Sequence, residues 1–152
     1  MREILFRGKP KNKADYELLK TMYKDNCKDG FIYGSLVISH GKYYICIMAL
    51  CQINSLVDNG NTTMFEVIPE TVGEYTGLTD KNGTKIFEGD ILRLAYHPEE
   101  DVIIEWHDGR FSFRKRNRPK DYGYESLCCV QITVSCLRVI GNIHDNPELL
   151  EG

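Results

Sequence analysis

The chain has 152 residues and a formal net charge of −3, and its apolar, charged and aromatic fractions are ordinary for a soluble globular protein. This length allows one compact domain or two small ones, and the negative charge argues against a protein dedicated to binding polyanions. No apolar run approaches the roughly 20 residues of a membrane-spanning helix, and residues 1–7 lack the core of a signal peptide. We therefore expect a cytoplasmic protein.

The clearest helical pattern covers residues 12–26. Asn12 can cap this helix, with Asp15 three residues later as a variant of the capping box. The apolar stripe of the helix would consist of Tyr16, Leu19, Met22 and Tyr23. The sequence thus predicts one substantial helix near the N-terminus.

Short extended segments separated by turn residues account for most of the remaining chain. In chain order, the predicted strands are residues 2–7, 31–38, 43–50, 64–68, 86–87, 91–96, 102–106, 110–114, 128–135 and 137–143. The predicted turns are Asp29-Gly30, His40-Gly41, Asn82-Gly83, Gly89-Asp90 and Asp108-Gly109. Asn82-Gly83 fits a type I′ hairpin turn because both residues tolerate a positive φ. After Asn146, residues 147–150 predict a final turn or short helix.

The predicted architecture is α+β, mainly β, with antiparallel strands. Residues 1–72 would hold the first strand, the helix and a hairpin, and residues 73–152 a small β-barrel whose strands lie within 73–143. We expect the core of the second part to include Ile91, Leu94, Ile104, Trp106, Phe111, Phe113 and Val134.

The six cysteines predict neither a metal site nor a disulfide. They contain no Cys-x-x-Cys pair, the spacing typical of structural zinc. Most of them lie in apolar segments, where cysteine usually behaves as a small buried hydrophobic residue. We expect reduced thiols and no cofactor.

Three motifs resemble the YopX-like family of bacteriophage and prophage proteins. They are Met1-Arg-Glu-Ile-x-Phe-Arg7 at the start, the block from Thr71-Val-Gly to Glu88-Gly-Asp-Ile91 in the middle, and Val139-Ile-Gly-Asn-Ile-His-Asp-Asn-Pro-Glu-Leu-Leu150 at the end. The resemblance implies a phage-encoded protein whose C-terminal portion is an SH3-like barrel, and it supplies no catalytic residue.

Candidate catalytic or metal-binding groups are few. His107-Asp108 and His144-Asp145 pair an imidazole with a carboxylate, but both pairs lie at predicted turns and neither repeats at ligand spacing. Glu88 and Asp90 flank a glycine on a bend, where carboxylates more often accept hydrogen bonds from backbone amides than share a proton. No motif of a known catalytic or nucleotide-binding loop is present, so we expect a protein that is not an enzyme.

A cluster of basic and aromatic residues is the clearest sign of a binding surface. Its candidate contacts to nucleic acid are Arg110, Arg114, Lys115, Arg116, Arg118, Lys120, Tyr122 and Tyr124. Proteins that bind single-stranded nucleic acid combine cations for the phosphates with rings that stack on the bases. The alternative is a solvated hairpin tip, with Phe111 and Phe113 pointing into the core.

The third interpretation is binding to another protein or to a second copy of the chain. Tyr43, Tyr44, Tyr75, Tyr122 and Tyr124 are of a residue type that is favoured in interfaces. We expect this non-enzymatic role, with an unknown protein or the chain itself as a homo-oligomer for the partner and nucleic-acid binding as the alternative.

Overall fold

The structure, a computed structural model, describes residues 3–47, 64–95, 97–116, 123–126 and 136–150. The chain divides into two compact units, residues 3–74 and residues 75–152. The described residues are mainly in antiparallel strands, with a helix in the first unit and a strongly curled, half-barrel sheet in the second. These features confirm the predicted fold class. None of the described helices is both long enough and apolar enough to span a membrane.

The first unit is built around four antiparallel strands. Its elements are β1 (Phe6–Gly8), α1 (Lys13–Met22), a 3-10 turn (Lys24–Asn26), β2 (Cys27–Lys28), β3 (Phe31–Ser39), β4 (Lys42–Cys46), β5 (Met64–Val67), a second 3-10 turn (Pro69–Thr71) and the start of β6 (Gly73–Thr79). The strand order is β5-β4-β3-β1, with Gly73 and Glu74 pairing with β1 on its other side. Pro10 also pairs with Val67 of β5, so the chain that leaves β1 covers the edge of this sheet.

Helix α1 begins as the sequence predicts. The side-chain oxygen of Asn12 accepts a hydrogen bond from the N–H of Ala14 at 3.0 Å, and Asn12 also bonds to Asp15 at 3.3 Å. Leu19 is buried at 2% exposure, among side chains that include Ile32 and Ile45.

Met22, expected in the same apolar stripe, is 61% exposed. A helix turns by about 100° per residue, so Tyr16, Leu19 and Tyr23 share a narrow face and Met22 falls outside it. The helix also ends at Met22, four residues before the predicted end.

Three of the predicted turns have the backbone that their sequences require. Both residues of Asp29-Gly30, His40-Gly41 and Asp108-Gly109 adopt a positive φ, between 49° and 78°. Asp and His tolerate this conformation and glycine adopts it freely. Each pair joins two neighbouring antiparallel strands, as expected of type I′ hairpin turns.

The second unit contains a five-stranded antiparallel sheet. Its elements are the rest of β6, β7 (Lys85–Phe87), β8 (Asp90–Leu94), β9 (His97–His107), β10 (Arg110–Lys115), β11 (Glu125–Ser126), β12 (Leu137–Asn142) and a 3-10 turn (Pro147–Leu150). The sheet order is β11-β10-β9-β8-β12. On one face, Ile86, Leu92, Val102, Ile104, Phe111, Phe113 and Leu137 form a buried cluster, with Leu94 packed against it. Ile91, also expected in the core, is fully buried.

Trp106 does not belong to the core, so this expectation is wrong. The residue shares a face with Ile104 of β9, but it lies one position from the end of the strand and is 51% exposed. Val134, the remaining expected core residue, and the predicted strand 128–135 lie outside the described residues.

The hairpin between β6 and β7 also differs from its prediction. The N–H of Gly83 donates to the carbonyl of Asp80 at 3.0 Å, so the central residues of this turn are Lys81 and Asn82. The positive φ of 79° is found at Gly83, which follows the turn. The Asn82-Gly83 pair therefore does not form the predicted type I′ turn.

Two of the three described cysteines are buried, as expected of small hydrophobic residues. Cys27 and Cys46 are buried in the first unit, and Cys136 is half-buried in the second. Burial raises the pKa of the Cys27 thiol, which keeps it protonated and unreactive at neutral pH.

Candidate interaction surface

Among the predicted nucleic-acid contacts, Arg110, Arg114 and Lys115 lie on β10 and Arg116 follows it. Carboxylates of β9 bind the last three of these cations. The Nε atom of Arg114 lies 3.1 Å from each carboxylate oxygen of Glu105. The two side chains are 14% and 19% exposed. Strand register explains the contact, because Glu105 is paired with Ser112 and therefore lies diagonally across from Arg114.

Lys115 and Arg116 have carboxylate partners as well. The Nζ atom of Lys115 lies 2.6 Å from Glu100 Oε2. Arg116 Nη1 lies 3.5 Å from Asp101 Oδ2 and donates to the carbonyl oxygen of Leu149 at 2.7 Å. The charge of Lys115 is therefore compensated by Glu100, and Arg116 shares the carboxylate of Asp101 with Arg93.

Arg110 differs from the other three cations. It is exposed at the start of β10, and no carboxylate of the described residues forms an ion pair with it. Phe111 and Phe113 are each 8% exposed within the apolar cluster, as the sequence predicts for inward-facing residues. Arg118, Lys120 and Tyr122 lie outside the described residues.

Tyr124 is held by two contacts. Its ring stacks on His107 with 3.8 Å between the centroids and 13° between the planes, and its hydroxyl donates to Glu105 Oε2 at 2.7 Å. This hydrogen bond, with burial and the charge of Glu105, raises the pKa of Tyr124. Glu105 thus fixes both Arg114 and Tyr124.

The end of the β9–β10 hairpin, residues 106–110, is exposed and flanked by aromatic rings. Trp106 packs on Phe111 edge to face, with centroids 4.8 Å apart and an interplanar angle of 79°. The backbone N–H of Trp106 donates to Glu88 Oε1 at 3.3 Å. By strand alternation, Trp106 and His107 lie on opposite faces, so this hairpin end presents a ring on each side.

The remaining candidate residues are held by hydrogen bonds within the chain, and the carboxylate of Asp145 accepts one from Asn142 Nδ2 at 2.9 Å. Asp90, which is 1% exposed, accepts the N–H of Phe87 at 2.8 Å, and Glu88 accepts the N–H of Trp106. His144 and Asp145 donate their backbone N–H groups to the side-chain oxygen of Asn142 at 2.9 and 3.0 Å. In the part of the chain that the structure describes, no three His, Cys, Asp or Glu side chains are grouped to hold a metal.

Sequence reasoning missed two residues that organise this unit. Glu105 lies on the solvent side of an apolar strand, and its partners become apparent only from the register with β10. Asp80 is 5% exposed, and its carboxylate accepts three backbone N–H groups. The position of Asp80 two residues before Asn82-Gly83 is a local signal for a turn stabilised by an aspartate side chain.

Comparisons with known proteins agree with the resemblance of the motifs. A family model described as YopX protein matches residues 7–151. Among solved structures, the crystal structure of protein EF1440 from Enterococcus faecalis is 33% identical, covering 57% of this chain and 67% of that chain, with a TM-score of 0.35. No curated protein matches the sequence. Because the family model covers nearly the whole chain, the chain belongs to the YopX family.

Proposed function

We propose that this protein is a non-enzymatic accessory protein of a phage or prophage, acting in the cytoplasm of the host by binding another protein or a second copy of itself. The exposed end of the β9–β10 hairpin would make the contact. The observation that supports this proposal is that Trp106 is 51% exposed while its ring packs against Phe111.

A partner that covers an exposed tryptophan gains the free energy of burying its apolar surface. Large aromatic side chains bury 150–250 Å² each, so covering the exposed half of Trp106 is worth about 2–3 kcal/mol at roughly 25 cal/mol per Å². Tryptophan, tyrosine and arginine are enriched among the residues that dominate interface energies. Arg110 belongs to this hairpin end, and Tyr124 stacks on its His107.

Rigidity also favours this surface. Trp106 packs on Phe111, and Tyr124 is fixed by its hydrogen bond to Glu105 and its stacking on His107. Ordering side chains costs binding energy, and these rings are already ordered before a partner arrives.

The test compares Trp106→Ala with Leu18→Ala, which removes an apolar side chain that is 59% exposed on α1. Sedimentation velocity over a range of protein concentrations measures self-association. Affinity capture from host cells, followed by titration of the purified partner, measures heterologous binding. We expect Trp106→Ala to weaken the association at least tenfold and Leu18→Ala to leave it unchanged, as expected if Trp106 is a residue that dominates the interface energy. Equal affinities for the parent and Trp106→Ala would refute the proposed surface.

Binding to single-stranded nucleic acid is the second candidate, supported by exposed Arg110 beside the stacked rings of His107 and Tyr124. Phosphate contacts release counterions, so such binding weakens steeply as salt rises. Fluorescence anisotropy with a mixed-sequence oligonucleotide at two salt concentrations separates the candidates. Micromolar binding at low salt, abolished by Arg110→Gln, would favour nucleic acid over protein as the partner.

A further inference from the structure

A second charged cluster lies in the same unit, on the sheet face opposite the apolar cluster. Arg93 donates from Nε and Nη2 to the two carboxylate oxygens of Asp101 at 2.9 and 3.0 Å. Arg116 Nη1 lies 3.5 Å from the same carboxylate. The side chain of Asp101 is 3% exposed, whereas that of Arg93 is 38% exposed. One buried carboxylate therefore serves two guanidinium groups, and one of these groups stays accessible.

Strand register adds a third arginine. Arg138 of β12 is paired directly with Arg93 of β8. Leu92 and Leu137, the sequence neighbours of these two arginines, face the apolar cluster, so both arginines lie on the other face of the sheet. Arg138 is exposed, and no carboxylate of the described residues forms an ion pair with its side chain.

This arrangement carries an electrostatic cost for the fold. Like charges directly opposite each other on neighbouring strands are destabilising. The carboxylate of Asp80 reaches the same strand, but its oxygens accept the N–H groups of Asn82, Thr84 and Val139. Arg93 and Arg138 together with Asp101 leave a net charge of +1, in a chain whose net charge is −3.

We propose that Arg93 and Arg138 form a binding site for a single phosphate group, either free or carried by a small phosphorylated molecule. Guanidinium groups donate charge-assisted hydrogen bonds to phosphate oxygens, so Arg138 and the N–H groups of Arg93 that do not bind Asp101 can share one phosphate. Asp101 already orients Arg93, which lowers the entropic cost of binding. A phosphate anion would also offset the repulsion between the two arginines.

A single phosphate fits this cluster better than a nucleic-acid backbone does. A nucleic-acid backbone needs a row of cations along several phosphates. The nearby cations Arg114 and Lys115 of β10 are already bound by Glu105 and Glu100. The accessible positive charge is thus concentrated at one pair of residues. This proposal does not depend on the interaction surface at the β9–β10 hairpin.

The test uses the full chain and the substitution Arg138→Gln, with Lys28→Gln as the control. Lys28 is an exposed cation on β2 of the first unit, outside the cluster. Thermal unfolding is followed as inorganic phosphate is added, with chloride adjusted to keep the ionic strength constant. We expect saturable stabilisation of the parent and of Lys28→Gln, because a ligand that binds the folded state stabilises it. In Arg138→Gln, we expect phosphate affinity to fall about tenfold, by the loss of a charge-assisted contact.

The same series contains an internal check. Without phosphate, Arg138→Gln should be at least as stable as the parent, since the substitution removes a like-charge pair; with saturating phosphate, the parent should become the more stable. Equal phosphate affinities for the three proteins, or no saturable effect up to about 20 mM phosphate, would overturn the proposal. Repeating the titration with glycerol phosphate identifies the source: tighter binding of the ester indicates a phosphorylated small molecule, and equal binding indicates free phosphate.

Discussion

The carboxylate of Asp80 accepts a 3.0 Å hydrogen bond from the backbone N–H of Val139, which lies 59 residues further along the chain. Its other oxygen accepts the N–H groups of Asn82 and Thr84 at 2.8 and 2.9 Å. One buried side chain therefore shapes the β6–β7 hairpin and joins it to β12. The N–H of Lys81, which donates to the carbonyl of Leu137 at 3.1 Å, adds a second link between the same segments.

We predict that Asp80→Ala lowers the free energy of unfolding by about 3 kcal/mol. The substitution leaves buried N–H groups without an acceptor, and each such group costs about 1–3 kcal/mol. Chemical denaturation followed by circular dichroism measures the change. Lys81→Ala is the control, because this exposed side chain should matter by less than about 0.5 kcal/mol. A loss below about 1 kcal/mol for Asp80→Ala would mean that these hydrogen bonds do little for stability.

The pH dependence of stability offers a second test of Asp80. Burial on its own raises the pKa of this carboxyl group, but the hydrogen bonds from Thr84, Val139 and Asn82 outweigh burial and lower the pKa below its usual value. A pKa that is lower in the folded state gives stability above the unfolded pKa of about 4, and this stability is lost as the pH falls through the folded pKa. We therefore expect the stability difference between the parent and Asp80→Asn to be largest near neutral pH and to shrink below about pH 4. Denaturant titrations at several pH values measure it, and a difference that stays constant down to about pH 2 would contradict this prediction.

Two glycines should respond differently to alanine. At Gly83, a Cβ would meet nothing within 4 Å, but the backbone has a φ of 79°, so Gly83→Ala should cost about 1 kcal/mol through backbone strain. At Gly34, a Cβ would overlap the backbone carbonyl of Cys46. Because β3 and β4 must then separate, Gly34→Ala should cost about 3 kcal/mol or more. Thermal unfolding gives the order of the two variants, and a smaller loss for Gly34→Ala would show that the two strands adapt without cost.

Local signals in the sequence predicted the local structure well. The Asn12 cap depends on residues within three positions, and the turns at Asp29-Gly30, His40-Gly41 and Asp108-Gly109 depend on the φ preferences of two residues. The prediction failed at Asn82-Gly83, where the side chain of Asp80 binds both the turn and a distant strand. A two-residue pattern contains no information about that third contact.

The candidate site was harder to predict because its electrostatics depend on strand pairing. The basic character of Arg114 and Lys115 is evident from the sequence, but their partners Glu105 and Glu100 precede them by 9 and 15 residues. Only the register of β9 against β10 brings these charges together. Nucleic-acid contact through the basic cluster stays a prediction, to be decided by the salt titration.

Two rings of very different exposure meet at the end of the β9–β10 hairpin. Phe111 is 8% exposed and Trp106 is 51% exposed, although the two rings are in contact. Replacing Phe111 by alanine opens a cavity in the apolar cluster and should cost about 3–5 kcal/mol. Trp106→Ala removes a side chain that is half in water already, and it should cost about 1–2 kcal/mol.

Circular dichroism measures both losses without depending on fluorescence, which Trp106→Ala removes because the chain has one tryptophan. In the parent, the emission of that tryptophan should be at the long wavelengths of a water-exposed indole, and it should shift to shorter wavelengths when a protein partner covers the ring. A loss of about 4 kcal/mol or more for Trp106→Ala would place the ring in the core, and would remove the main support for the hairpin end as a binding surface. A small loss, together with the wavelength shift on binding, would show that this indole serves association more than folding.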